Sequence, residues 1–141
     1  MKNKNKKPLT AVYRRLLAAA KAARQKAYAP YSRYRVGAAV LTFGGKIHAG
    51  CNVENASYGL TCCAERVAIF KAVSVGERRL RAVAIVLDAP SYGAPCGACR
   101  QVIYEFGPAA DVLMGTVRGG VRVQRIGELL PLAFGPAHLK D

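Results

Sequence analysis

Acidic residues are scarce in this chain of 141 residues, and none occurs before Glu54. The 8 acidic residues stand against 22 Lys and Arg residues, which gives a formal net charge of +14. The first 53 residues carry 12 of those basic residues. Such an asymmetry is typical of chains that meet nucleic acid or another anionic surface, and a solvated basic face with a loose tail produces it equally well.

Long apolar runs are also absent. No run approaches the roughly 20 residues that a membrane-spanning helix needs, so we expect no membrane partner. Arg14, Arg15 and Lys21 interrupt the stretch that would have to be apolar in a secretory signal. The five cysteines are odd in number and include an adjacent pair, which argues against a disulfide framework. These features predict a reducing, cytoplasmic location.

The length and the 52% share of hydrophobic residues fit one domain with a real core. Residues 1–8 are rich in Lys and Asn and are predicted to be a disordered basic tail, which leaves residues 9–141 as a single domain. Patterning predicts helices over 11–27, 62–75 and 97–106, strands over 34–43, 46–53, 80–87, 112–117 and 121–125, and a final helical turn at 127–130. This order predicts an α/β sandwich with a partly parallel sheet.

Three cysteines occur in two short motifs, Cys63-Ala64-Glu65 and Pro95-Cys96-Gly97-Ala98-Cys99. Each motif opens a predicted helix, where free N–H groups and the helix dipole favour thiolates. Three thiolates with a fourth coordination position left over are typical of catalytic zinc. A Cys-x-Glu followed by Pro-Cys-x-x-Cys is the pattern of zinc deaminases, in which the Glu carries protons and does not bind the metal.

Two other interpretations of the cysteines are buried core residues and a thioredoxin-like redox pair. Neither explains a carboxylate two residues after Cys63. A Cys/His nucleophile is weaker still, because the two histidines, His48 and His138, are expected to be surface residues. Cys62, which adjoins the first motif, is expected to be a spectator.

The chain resembles the small, homotetrameric cytidine deaminases. The resemblance extends from about Leu9 to the C-terminus and is carried by the two cysteine motifs and by four further stretches: Ala29-Pro30-Tyr31-Ser32, Val36-Gly37-Ala38-Ala39, Asn52-Val53-Glu54-Asn55-Ala56-Ser57-Tyr58 and Glu128-Leu129-Leu130-Pro131. It implies a three-layer α/β/α sandwich with a mixed five-stranded sheet. It also implies hydrolytic deamination of cytidine and 2′-deoxycytidine, which yields the uridines and ammonia in pyrimidine salvage.

The same resemblance implies one Zn²⁺ ion per subunit, bound by Cys63, Cys96 and Cys99. Glu65 would take a proton from zinc-bound water and deliver it to N3 of the pyrimidine. Hydroxide would attack C4, and Glu65 would then protonate the departing ammonia. Arg66 would donate hydrogen bonds to thiolate sulfur and offset the charge of −1 that three thiolates leave around zinc.

The implied nucleoside contacts come from several segments. Asn52 and Glu54 would hold the ribose hydroxyls, in particular the 3′-hydroxyl, and Glu54 would repel a 3′-phosphate. The Ala64 N–H would donate to the base carbonyl, and Tyr34 would pack on the base where the family usually has Phe. Phe134 would enter the active site from a neighbouring subunit, since the resemblance implies active sites at the interfaces of a homotetramer.

Three other functions remain to be compared with a nucleoside deaminase. A nucleic-acid-acting deaminase would account for the charge of +14, but Glu54 would face its phosphate backbone. A non-enzymatic zinc or RNA-binding module would leave Glu65 without a function. The third alternative is a drug-detoxifying nucleoside deaminase, and against it the 52–55 stretch favours ordinary nucleosides as substrates. We therefore expect a small nucleoside substrate and no specific nucleic-acid partner.

Overall fold

The computed structural model describes residues 8–140, so almost all of the tail predicted over residues 1–8 lies outside the described residues. Within that part of the chain, no helix is long and apolar enough to cross a bilayer.

Five strands form one mixed sheet in the order β2-β1-β3-β4-β5. Strands β3 and β4 run parallel, and the other three neighbouring pairs run antiparallel. This arrangement confirms the expected mixed five-stranded sheet. The strands are β1 Val36–Thr42, β2 Ile47–Cys51, β3 Leu80–Leu87, β4 Asp111–Thr116 and β5 Val121–Arg125.

Helices cover both faces of the sheet. Alternate residues of β1 point to opposite sides, so Ala39 packs with Leu16 and Ala20 of the first helix, whereas Val40 packs with Ile69 of the second. The result is the expected three-layer α/β/α sandwich. The helices are α1 Ala11–Arg24, α2 Ala64–Ser74, α3 Gly97–Phe106 and α4 Ile126–Leu129, with unpredicted 3₁₀ turns at Tyr58–Leu60 and Pro136–Leu139.

Two helices are shorter than the sequence pattern predicts, and pairing with Val53 explains both. Helix α1 ends at Arg24 instead of residue 27, because the chain turns so that Tyr28 can bridge to Val53. Helix α2 begins at Ala64 instead of residue 62, because the backbone N–H and C=O of Cys62 bond to Val53. These bridges bring the segment after α1 and the start of α2 to the same end of the sheet.

Glycines allow the helix backbones to lie directly on the β1–β2 hairpin. A Cβ atom at Gly37 would lie 1.9 Å from the carbonyl oxygen of Ala20 in α1. On β2, a Cβ atom at Gly50 would lie 2.7 Å from the backbone nitrogen of Ala68 in α2. Because both obstacles are backbone atoms, no side-chain rotation can relieve the overlap.

We therefore expect Gly37→Ala to lower the free energy of unfolding by about 3 kcal/mol, since overpacking must push α1 away from the sheet. The control is Gly127→Ala in α4, where an added Cβ atom meets nothing within 4 Å. That control is expected to change stability by less than about 1 kcal/mol. Urea unfolding followed by circular dichroism measures both effects, and equal midpoints for the two variants would contradict the argument.

Candidate active site

Three thiols converge where the N-termini of α2 and α3 meet. Cys63 is the N-cap residue of α2, Cys96 is the N-cap residue of α3, and Cys99 lies in the first turn of α3. The Sγ atoms of Cys63 and Cys96 are 3.9 Å apart, and all three Sγ atoms lie within 4.8 Å of one another. Cys62 is not part of this cluster. The structure thus brings together the three cysteines that the two motifs single out.

The donor set fits zinc. Three sulfur atoms bound to one zinc ion at tetrahedral angles lie about 3.8 Å from one another, since each Zn–S bond is about 2.3 Å long. The separation of 3.9 Å between two of the thiols is close to that value. Soft thiolate ligands select zinc over magnesium or calcium.

Hydrogen bonds favour a thiolate at Cys63. The Cys99 thiol and the Arg66 guanidinium both interact with its sulfur and hold the pKa of Cys63 well below its ordinary value. The Nη2 atom of Arg66 lies 3.4 Å from this sulfur. The same hydrogen bond with Cys63, together with burial, raises the pKa of Cys99. Arg66 therefore lies where the sequence predicts it, within hydrogen-bonding distance of a ligand sulfur.

Glu65 is the buried carboxyl group of the site. It lies in the first turn of α2 and is only 4% exposed. Burial raises the pKa of Glu65 above its ordinary value, although a hydrogen bond with Cys99 opposes this effect. A raised pKa makes a carboxyl group a stronger base than an exposed carboxylate, which suits it to general acid–base catalysis.

A cleft of about 460 Å³ opens beside the thiols. This volume lies within the range of small-molecule sites. Tyr34, Asn52, Glu54 and Ala64, four residues predicted to contact a nucleoside, line the cleft together with Glu65. Seven further residues of the wall had no predicted role, and they come from loops, the start of β1 and the end of β3: Ser32, Val36, Thr61, Ile85, Leu87, Gly93 and Ala94.

Asn52 also contributes to the local fold. Its side-chain oxygen accepts a hydrogen bond from the Val36 N–H at 2.9 Å, and its Nδ2 donates to the Tyr34 carbonyl at 2.7 Å. An amide side chain has two N–H donors and two acceptor lone pairs, so one of each is left for a ligand.

The carboxylate of Glu54 is bound by the segment that precedes β1. Its Oε1 accepts from the backbone N–H of Tyr31 at 2.9 Å and of Ser32 at 3.1 Å. Its Oε2 accepts from the Ser32 hydroxyl. The hydroxyl hydrogen bond is the main cause that lowers the pKa of Glu54. The motif containing Ser32 was visible in the sequence, but nothing in the sequence indicated this contact.

Other residues lie away from the cleft or differ from expectation. Phe134 does not line the cleft of its own chain, and its ring stacks on His138 with centroids 5.2 Å apart. Arg100 donates to the carbonyl oxygens of Pro95 and Leu129, both at 2.7 Å. The expectation that His48 lies on the surface is wrong. It is half-buried, because its partner across the β1–β2 pair, Val40, faces the core under α2.

Comparisons with known proteins agree with this site. The family model for the cytidine and deoxycytidylate deaminase zinc-binding region matches residues 11–116. The chain is similar to the cytidine deaminase of Halalkalibacterium halodurans, with 50% identity over 120 residues that cover 84% of this chain and 91% of that protein. It is also 50% identical to the cytidine deaminase of Mycobacterium tuberculosis over 109 residues, which cover 77% of this chain and 79% of that protein.

Solved structures give the same result. The crystal structure of cytidine deaminase from Burkholderia pseudomallei superimposes with a TM-score of 0.84 at 53% identity, covering 89% of this chain and all of that one. The Mycobacterium tuberculosis enzyme superimposes with a TM-score of 0.76 at 46% identity, covering 87% of this chain and 97% of that one. Sequence and fold therefore agree, and the chain belongs to the cytidine deaminase family.

Proposed function

We propose that this chain catalyses the hydrolytic deamination of cytidine and 2′-deoxycytidine to uridine and 2′-deoxyuridine, with release of ammonia. The observation that carries the proposal is a cluster of three thiols, two of which line the same cleft as the buried carboxyl group of Glu65. Relatives with about half of their residues identical to this chain are named cytidine deaminases, which supports the same substrate.

Cys63, Cys96 and Cys99 bind one zinc ion per subunit. When bound, zinc lowers the pKa of water to about 7, so that a nucleophile for C4 of the base is available at neutral pH. Arg66 donates to the Cys63 sulfur and offsets the negative charge of the three thiolates.

Glu65 is the proton carrier. Its carboxylate takes one proton from the attacking water and passes it to N3 of the pyrimidine. It then takes the second proton from the new hydroxyl group at C4 and delivers it to the amino group, which departs as ammonia. Burial supports this role, since a carboxyl group excluded from solvent exchanges protons with the substrate and not with bulk water.

The walls of the cleft recognise the nucleoside. Asn52 and Glu54 bind the ribose hydroxyls, and Tyr34 stacks on the base. Ala64 is the first residue of α2, so its N–H has no partner within the helix and donates to the carbonyl of the base.

The cleft favours a nucleoside over a nucleic-acid strand. No Lys or Arg side chain lines the cleft among residues 8–140, whereas the ionised Glu54 does. A carboxylate at the 3′-hydroxyl repels a 3′-phosphate. The basic residues of α1 lie on the opposite face of the sheet from α2 and the thiols, so they offer no path for a phosphate backbone into the cleft.

We further propose a cytoplasmic homotetramer in which Phe134 completes the cleft of a neighbouring subunit, with residues 9–141 as one catalytic domain. Exposed apolar side chains next to the cleft support an interface there. Tyr58 is 74% exposed, Leu60 is 70% exposed, and the Tyr58 ring contacts Tyr31 with centroids 5.7 Å apart.

Glu65→Gln is expected to lower kcat by about 10²–10⁴-fold, because the amide cannot carry a proton. The zinc content and the fold should not change, since Glu65 is not a ligand. The rate at which the ultraviolet absorbance of cytidine falls measures turnover. The control is Glu105→Gln on the exposed side of α3, which should retain full activity. Substantial turnover by Glu65→Gln would exclude the assigned role.

Cys96→Ser is expected to purify with well under one zinc ion per chain, because a hydroxyl is a poor ligand compared with a thiolate. The matched control is Cys62→Ser, which removes the thiol adjacent to Cys63 and outside the cluster. This control should keep one zinc ion per chain. Atomic absorption measures both, and loss of zinc from Cys62→Ser alone would show that the wrong thiol has been assigned.

The trans role of Phe134 predicts complementation between two impaired chains. Phe134→Ala and Glu65→Gln should each have low activity alone. Hybrid tetramers formed by co-expression should be more active than the two variants' separate activities added together. The reason is that some clefts in a hybrid combine an intact Glu65 with an intact Phe134 from the neighbouring chain. Phe43→Ala is the control, since Phe43 is equally exposed but contacts Arg79 at the far end of β1. A fully active monomer in sedimentation would refute the proposal.

A further inference from the structure

The carboxylate of Glu54 is oriented by two residues of one short segment. Tyr31 and Ser32 supply backbone N–H donors to Oε1. The Ser32 hydroxyl supplies the side-chain donor to Oε2. Each carboxylate oxygen has about two acceptor sites. With one site on Oε2 taken by Ser32, the direction of the remaining lone pair is defined, and it is available to a hydroxyl group of a ligand.

The hydroxyl of Ser32 is itself held in one orientation. It accepts a hydrogen bond from the backbone N–H of Tyr34 at 3.0 Å, so its single proton is directed at Glu54. Arg33, which lies between Ser32 and Tyr34, has a φ of +57°. This left-handed conformation costs energy for a residue with a Cβ atom. The Arg33 N–H bonds to the Ala29 carbonyl at 2.9 Å, which stabilises this turn.

We infer that Ser32 is a positioning residue for substrate selection: its hydroxyl aligns the Glu54 carboxylate with the ribose 3′-hydroxyl and links that carboxylate to the backbone of Tyr34. The inference rests on the proposed function, in which Glu54 binds the ribose and Tyr34 stacks on the base. The contact that defines the turn thus also sets the spacing between ribose recognition and base recognition.

The lowered pKa of Glu54 is consistent with this role, since the Ser32 hydroxyl is its main cause. An ionised carboxylate accepts a hydrogen bond from a ribose hydroxyl more strongly than a neutral carboxyl group does.

A purely structural role for Ser32 makes a different prediction. If the hydroxyl only maintained the turn, its loss would lower activity toward all nucleosides by the same factor. If it aligns Glu54, its loss lowers activity most for nucleosides that carry a 3′-hydroxyl. A site built to bind a hydroxyl group rejects the analogue that lacks it, so the ratio between two such nucleosides measures the alignment.

The experiment compares kcat/KM for cytidine and 3′-deoxycytidine in the zinc-loaded wild type, Ser32→Ala and Ser32→Thr. We expect Ser32→Ala to reduce the preference for cytidine about tenfold, mainly through a higher KM for cytidine, because a hydrogen bond to a charged group is lost. Ser32→Thr keeps the hydroxyl and should restore the preference. Should Ser32→Ala fail to fold, Ser32→Cys replaces it, and its weak thiol donor should give an intermediate ratio.

The control for loss of a serine hydroxyl is Ser74→Ala at the end of α2, where the hydroxyl bonds to the Lys71 carbonyl. The preference of Ser74→Ala for cytidine over 3′-deoxycytidine should equal that of the wild type. An unchanged preference in Ser32→Ala, with both nucleosides affected equally, would overturn the inference and leave the proposed function intact. A wild type that does not deaminate cytidine would overturn the proposed function and this inference with it.

Discussion

The site depends on the meeting of two helix N-termini at one end of the sheet. Cys63 is the N-cap residue of α2 and Cys96 is the N-cap residue of α3, and with Cys99 in the first turn of α3 they bring three thiols within 4.8 Å of one another. The free N–H groups and the dipole of each helix stabilise the thiolates that a soft metal needs. Gly37 and Gly50 permit close packing of the helices on the β1–β2 hairpin, so the core supports the geometry of the metal site.

The basic residues of α1 lie away from the cleft. The chain carries a net charge of +14, but among residues 8–140 no Lys or Arg side chain lines the cleft, and α1 lies across the sheet from it. A polyanion attracted to the basic side chains of α1 would therefore not be guided to Glu65. This arrangement explains why so basic a chain fits a small uncharged nucleoside better than a nucleic-acid strand.

Several residues of the cleft have two roles. Asn52 bonds to the backbone at the start of β1 and retains one donor and one acceptor for a ligand. Glu54 completes the turn at Tyr31 and Ser32, and the turn in return orients its carboxylate. Because the same hydrogen bonds build the loop and present the recognition groups, the binding site is largely formed before a nucleoside arrives, which reduces the entropy lost on binding.

The sequence by itself determined the element order, the central strand Leu80–Leu87, the helix Gly97–Phe106, the zinc-dependent deaminase family and the three clustered thiols, because local periodicity and ligand spacing are encoded over short stretches. Only the tertiary structure decided the ends of α1 and α2 and the contact between Ser32 and Glu54. Each of these depends on groups far apart in the chain: residue 53 bridges to residues 28 and 62, and residue 32 reaches residue 54. No local pattern encodes such pairings, since they form only when the sheet brings its loops together.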